Sequence, residues 1–220
     1  MKLKFLGAAV GIVLSATVLS ANAQKSYTEG LLIMKTSGYG QDVEVKEYFR
    51  SDSTAALFAA GPANIKLLAD ANYKSYAVLA SVPAANIKKA AIYTPAEIDH
   101  ILSTFPTLTF APSTEKKQIS GFNCKKIVAT DTKTHKTYDI WITNDISLPA
   151  DVIDKYYVSI GGVPIQYTSF QTGPNGAPVA NEYTITGVSD QKAPAGTFGI
   201  APDFDKISKD ALDAMSRGNQ

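Results

Sequence analysis

The chain has 220 residues, 45% of them hydrophobic, with 21 Lys and Arg against 20 Asp and Glu. That length suits one medium-sized domain with its own core, and the near-neutral balance, with no basic or acidic block, argues against a nucleic-acid-binding face or a charged tail. Only Arg50 and Arg217 carry guanidinium groups, which disfavours a bidentate phosphate site, and a single cysteine, Cys124, excludes an internal disulfide.

The amino terminus reads as a secretory signal. Lys2 and Lys4 make a positive start, Phe5 to Leu19 carries no charge, and Ala21-Asn22-Ala23 is a small-x-small cleavage site followed by Gln24. The apolar run is too short for a spanning helix. Residues 1–23 are therefore expected to be removed. Residues 24–220 would remain as one β-rich domain without a membrane span, periplasmic or secreted, with one basic residue fewer than acidic ones.

The remaining chain reads as strands with short turns. Tyr27 to Ser37 leads into the apolar run Leu31-Leu32-Ile33-Met34, and Val43 to Arg50 alternates with Val43, Val45 and Phe49 in one register. Ala55 to Ala60 and Ile65 to Asp70 are separated by Gly61-Pro62, and Asp70-Ala71-Asn72 predicts a tight turn into Tyr73 to Val82. Thr94-Pro95-Ala96-Glu97 is a helix start with cap, first-position proline and capping-box glutamate; Ile98, Ile101 and Leu102 then share a face, and Pro106 ends the segment. Beyond Glu115, a strand over Gly121 to Thr130 puts Phe122, Cys124 and Val128 on one face. The polar run Asp131 to Lys136 reads as a hairpin loop, and Tyr138 to Thr143 returns. Val152 to Ile160, Val163 to Thr172 and Val179 to Val188 are expected as further strands, punctuated by Gly161-Gly162 and by Gly173-Pro174-Asn175-Gly176. A C-terminal helix is expected over about residues 203–217, capped by Asp203, with Ile207, Ala211, Leu212 and Met215 on one face.

These elements predict a mainly β (α+β) domain built on an antiparallel sheet with one central and one C-terminal helix. Leu31 to Met34, Ile140-Trp141-Ile142 and Val163-Pro164-Ile165 are apolar on both faces. Two arrangements satisfy that pattern: a sheet covered by the two helices, or a curved sheet whose inner face lines an apolar cavity.

Chemistry-bearing motifs are sparse. His100 and His135 are the only histidines, and neither has a partner at metal-ligand spacing, so no metal site is expected. A Gly-x-Ser-x-Gly elbow and a phosphate-cradling glycine loop are both absent. Cys124 alternates with Phe122 on a strand, so it reads as a buried core thiol rather than a nucleophile. Glu115, Asp139, Asp151, Asp154 and Glu182 could furnish a carboxylate pair, but spacing singles out no two of them. Tyrosines are abundant among the strands, either as ordinary β-formers or as a binding surface with polar tips.

The segment Lys116-Lys117-Gln118-Ile119-Ser120-Gly121-Phe122-Asn123-Cys124-Lys125-Lys126, followed by Tyr138-Asp139-Ile140-Trp141-Ile142-Thr143-Asn144-Asp145-Ile146, resembles the I-x-G-[YF]-x-C-x-K … W-x-T-x-[DE]-[IL] run of an exported domain-of-unknown-function family of Gram-negative bacteria, close in style to the GLPGLI group. Tyr73 to Leu79, Gly162-Val163-Pro164-Ile165 and Ala195-Gly196-Thr197-Phe198 resemble further segments of that family, although the literal Gly-Leu-Pro-Gly-Leu-Ile string is absent. Such families are similar to LolA/LolB-type lipoprotein carriers. The resemblance therefore implies a strongly curved antiparallel half-barrel with helices plugging its concave side; it implies no catalytic residues.

The function expected on these grounds is a non-enzymatic binding or carrier protein, without cofactor, for a lipid, an acyl chain or a lipoprotein anchor. Its ligand would lie against Leu32, Met34, Tyr76, Tyr93, Trp141, Ile165 and Tyr167, the residues of the doubly apolar strands and aromatic positions. The alternatives are a structural or interaction protein that holds an envelope protein partner, and a hydrolase whose acid and base groups converge only in space.

Overall fold

The structure is a computed structural model that describes residues 24–38, 41–70, 73–172 and 178–217. Residues 1–23, expected as a signal, and the turns expected at Ala71-Asn72 and at Gly173 to Gly176 lie outside the described residues. The strands are β1 (Lys25–Ser26), β2 (Gly30–Gly38), β3 (Gln41–Arg50), β4 (Ser53–Ala60), β5 (Ala63–Asp70), β6 (Tyr76–Val82), β7 (Ile87–Ile92), β8 (Leu108–Ile119), β9 (Phe122–Asp131), β10 (Thr137–Thr143), β11 (Ile146–Ser147), β12 (Val163–Thr172), β13 (Pro178–Ser189) and β14 (Asp205–Ile207). Two helices accompany them, α1 (Pro95–Thr104) and α2 (Lys209–Arg217). The domain is thus mainly β. None of its described helices is long and apolar enough to cross a membrane.

Twelve strands form one sheet in the order β14-β7-β6-β5-β4-β3-β2-β13-β12-β10-β9-β8, and β1 pairs with β11 in a separate parallel couple. Neighbours in the large sheet run antiparallel except β14, which lies parallel to β7. Many neighbours in this order are consecutive in the chain, whereas β2 meets β13 and β7 meets β14 across long stretches of it. At Ser120-Gly121 both residues adopt left-handed φ, 51° and 85°, the backbone of a two-residue hairpin whose twist suits the flanking strands. The Lys116 to Lys126 segment is therefore two strands joined by a hairpin, not one continuous strand.

Cross-strand register sorts side chains onto two faces. On one, Tyr167 faces Tyr183, Tyr183 faces Thr36, and Ile185, Met34 and Val45 form the next row. Glu47 sits between Leu32 and Ala56, and the row continues through Leu67 to Val78. The other face carries Ile33, Lys46, Leu57, Lys66, Leu79 and Ala90 in one cross-strand line. Leu79 and Ala90 are buried there because Ile200 and Phe204 pack over them, while the Lys66 ammonium donates to the carbonyls of Thr197 and Gly199 at 3.3 and 2.9 Å. The chain after β13 thus covers the outer face before reaching the sheet edge.

Two expectations change. Val152 to Ile160 is not a strand. It forms 3-10 turns at Ala150–Val152 and Lys155–Tyr157, because β10 pairs directly with β12 and leaves the connection outside the sheet. Tyr157 and Ile160 then pack onto Ile127, Ala129, Ile140 and Ile142, and the Tyr157 hydroxyl donates to the Thr168 carbonyl at 2.6 Å. The C-terminal helix starts at Lys209 rather than Asp203, since residues 205–207 pair with β7 and Ser208 closes the first turn by accepting from the Ala211 N–H. Asp203 instead forms an ion pair with Lys88. Strands β7 and the first half of β8 carry lysines or a proline that hide their periodicity, and sequence reading passes over both.

Candidate functional site

A cavity of about 720 Å³ opens on the face that carries Tyr167, Tyr183, Met34 and Val45. Its floor is supplied by β2 to β6, β12 and β13, and its cover by Ile98, Ile101 and Leu102 of α1, by Phe105, and by the turn residues Asp154 to Tyr156. Helix α1 is held in place by the expected cap. Thr94 Oγ1 accepts from the Glu97 N–H at 3.3 Å, and Glu97 accepts from the Thr94 N–H at 2.6 Å. This sets the Ile98, Ile101 and Leu102 face over the sheet.

Aromatic rings join cover to floor. Phe105, next to the end of α1, meets Tyr156 edge-on at 5.7 Å, and Tyr156 in turn meets Tyr157 and Phe170 at 4.7 and 5.3 Å. Tyr157 contacts Tyr167, which stacks on Tyr183 at 5.9 Å. On another wall Tyr76 and Tyr93 form an edge-to-face pair at 4.9 Å. Hydroxyl groups find local partners: Tyr167 Oη donates to Met34 Sδ at 3.5 Å, and Gln171 donates to Tyr183 Oη at 3.1 Å.

Two carboxyl groups interrupt this apolar lining. Glu47 projects from β3 in the register of Val43, Val45 and Phe49. Some of its surface stays open to the cavity, but it lies deep among protein atoms. Burial, reinforced by the negative charge of Asp154, pushes its carboxyl up to about 8. Asp154 enters from the cover. Burial raises its carboxyl as well, opposed by hydrogen bonds from Tyr156, whose Oη donates to Asp154 Oδ2 at 2.8 Å, and from Ser169. The surrounding phenols are pushed up by burial first: Tyr93 to about 12, with Asp213 and Glu97 adding to it, and Tyr183 to about 12, with Asp154 adding to it. Tyr76, Tyr156 and Tyr167 rise in the same direction. The site can therefore enclose an apolar body, offer hydroxyl and carboxylic acid hydrogen bonds, and meet a positive charge.

Of the seven residues expected to contact a ligand, Met34, Tyr76, Tyr93 and Tyr167 line this cavity. Leu32 and Ile165 do not; both are packed into the core cluster with Phe49, Val163 and Ile185. Trp141 belongs to the same buried cluster but points away from the cavity, because it pairs with Gln166, whose neighbour Tyr167 is the one that lines it. The Lys117 ammonium sits 4.0 Å above the Trp141 ring and also donates to Gln166 Oε1 at 3.0 Å. Cys124 is buried and burial raises its thiol. His100 and His135 are exposed, and among the described residues no three of His, Cys, Asp and Glu converge on a metal site. Sequence reading missed Glu47 and did not single out Asp154. The available signal was Glu47 itself, a charge in the apolar phase of an alternating strand.

No family model matches this chain, and no curated protein matches it significantly. Two solved structures of PNGF-II are similar in part. The one in space group C2 is 18% identical with a TM-score of 0.48, over 86% of this chain and 32% of that one; the one in P21 is 16% identical with a TM-score of 0.47, over 86% and 33%. This chain thus spans about a third of the length of PNGF-II.

Proposed function

We propose that this protein is a non-enzymatic carrier or binding protein of the cell envelope, and that the cavity beneath α1 holds a lipid, an acyl chain or a lipoprotein anchor. The observation that carries this reading is a cavity of about 720 Å³ with aliphatic and tyrosine walls closed by a separate cover. Pockets of roughly 300–1,000 Å³ suit small-molecule ligands, and each buried methylene contributes about 0.8 kcal/mol. A chain of ordinary length therefore binds without a dedicated charged site. The unbroken neighbour order from β7 to β2 and the α1 cover support a LolA-like half-barrel with a plugged concave side. The resemblance of Lys116 to Lys126 and Tyr138 to Ile146 to exported proteins supports the same reading. Export through the 1–23 segment would place the protein in the periplasm or outside the cell.

The Glu47 and Asp154 pair gives a hydrolase reading a specific footing. Among the described residues, however, the lining is mostly apolar and includes no histidine, which favours the carrier reading. Native mass spectrometry of protein purified from its own host without detergent, followed by lipid extraction, tests the carrier reading. A lipid-sized bound mass is expected, and it should be lost in Ala56→Phe, which fills the cavity beside Glu47. An apo mass that also takes up no added lipid overturns the proposal.

A further inference from the structure

The two carboxyl groups of the cavity come from independent elements, and the charge of Asp154 is felt at Glu47. Glu47 stands on the sheet floor and Asp154 hangs from the cover, and among the described residues neither has an ion-pair partner. Among the described residues the cation in the lining is Lys155, which is exposed and holds its ammonium 5.2 Å from the Tyr73 ring. Among the described residues the remaining titratable groups of the lining are the phenols of Tyr73, Tyr76, Tyr93, Tyr156, Tyr167 and Tyr183, and burial holds the last five neutral. An apolar chain by itself needs neither carboxyl, and an anionic head would find no opposite charge in either. Rings and carboxylates around an empty volume are the recognition chemistry of an organic ammonium ion.

We infer that the cavity takes an apolar ligand with a cationic nitrogen at one end, of the class of long-chain amines and alkylammonium ions, with Glu47 and Asp154 facing the nitrogen and tyrosine rings around it. The inference rests on reading the cavity as a ligand site and names the ligand's head group. Burial keeps the empty-site Glu47 largely protonated near neutral pH. An arriving ammonium ion favours the carboxylate, so binding should expel a proton from this side chain.

Titration calorimetry with dodecylammonium, dodecanol and dodecanoate below their micelle concentrations tests this, run at about pH 7 in two buffers of different ionisation enthalpy. Dodecylammonium is expected to bind about tenfold or more tighter than dodecanol, with dodecanoate weakest. Only the ammonium should release protons. Glu47→Gln should equalise the ammonium and alcohol affinities and abolish that release, and Asp154→Asn should reduce the preference. If dodecanoate matches or exceeds dodecylammonium, or if the preference survives both substitutions, the inference is overturned while the cavity reading stands on dodecanol binding. If none of the three chains binds, the carrier reading falls with it.

Discussion

Glu47 shows how one side chain can set a protein's response to pH. Its carboxyl is raised from an ordinary 4.5 to about 8, first by burial and then by Asp154. In that interval the native protein holds a proton that the unfolded chain has lost. Stability is therefore fully present below about 4.5 and falls as pH rises toward about 8. Asp154 acts in the same direction. Urea unfolding from about pH 5 to about pH 8 should show this decline, on the order of a few kcal/mol. Glu47→Gln should flatten it and make the protein more stable at the alkaline end, because a neutral amide replaces a buried charge. A profile unchanged by the substitution would show that Glu47 is not the group responsible.

At the level of elements, α1 and the start of β2 depend on single local features. Thr94 supplies the side-chain acceptor for the Glu97 N–H, and Glu97 the reciprocal one, so Thr94→Ala should cost about 1 kcal/mol in thermal or urea unfolding. The same change should raise hydrogen exchange in the first turn of α1 and loosen the Ile98 face over the cavity. Gly30 begins β2 where β13 comes closest: a Cβ there would lie 2.1 Å from the Ser189 carbonyl oxygen. The obstacle is backbone, which cannot swing aside, so Gly30→Val should destabilise the protein by roughly 1–3 kcal/mol. A midpoint within error of wild type would mean that β13 shifts freely at that end.

For the whole molecule, two separate segments cover the two faces of the sheet. The stretch after β13 shields Leu79 and Ala90 with Ile200 and Phe204, whereas α1 and the Asp154 to Tyr156 turn stand over the cavity on the other side. The outer cover is packed on a solid apolar cluster, and the inner one encloses open volume. Hydrogen exchange on the ligand-free protein should accordingly find the α1 and 150–160 amides opening more readily than those of β5 and β6. Added dodecanol should protect the former selectively. Equal protection of both regions would show that the inner cover is as fixed as the outer one.

Local chemistry was legible in the amino acids alone: the Thr94 cap, the hairpins between successive strands, the burial of Cys124 and the β-rich class all follow from neighbours a few positions apart. Apolar residues at the Leu32, Trp141 and Ile165 positions were equally legible as buried, but not as belonging to core, outer face or cavity. A period of two says that alternate side chains share a face without saying which face is covered, and by what. The extraction of residues 152–160 from the sheet, the pairing of β14 with β7 and the placing of Glu47 and Asp154 in one cavity all depend on positions far apart in the chain. Only tertiary structure decides them, because burial and charge at those sites come from what packs across them and not from their own neighbours.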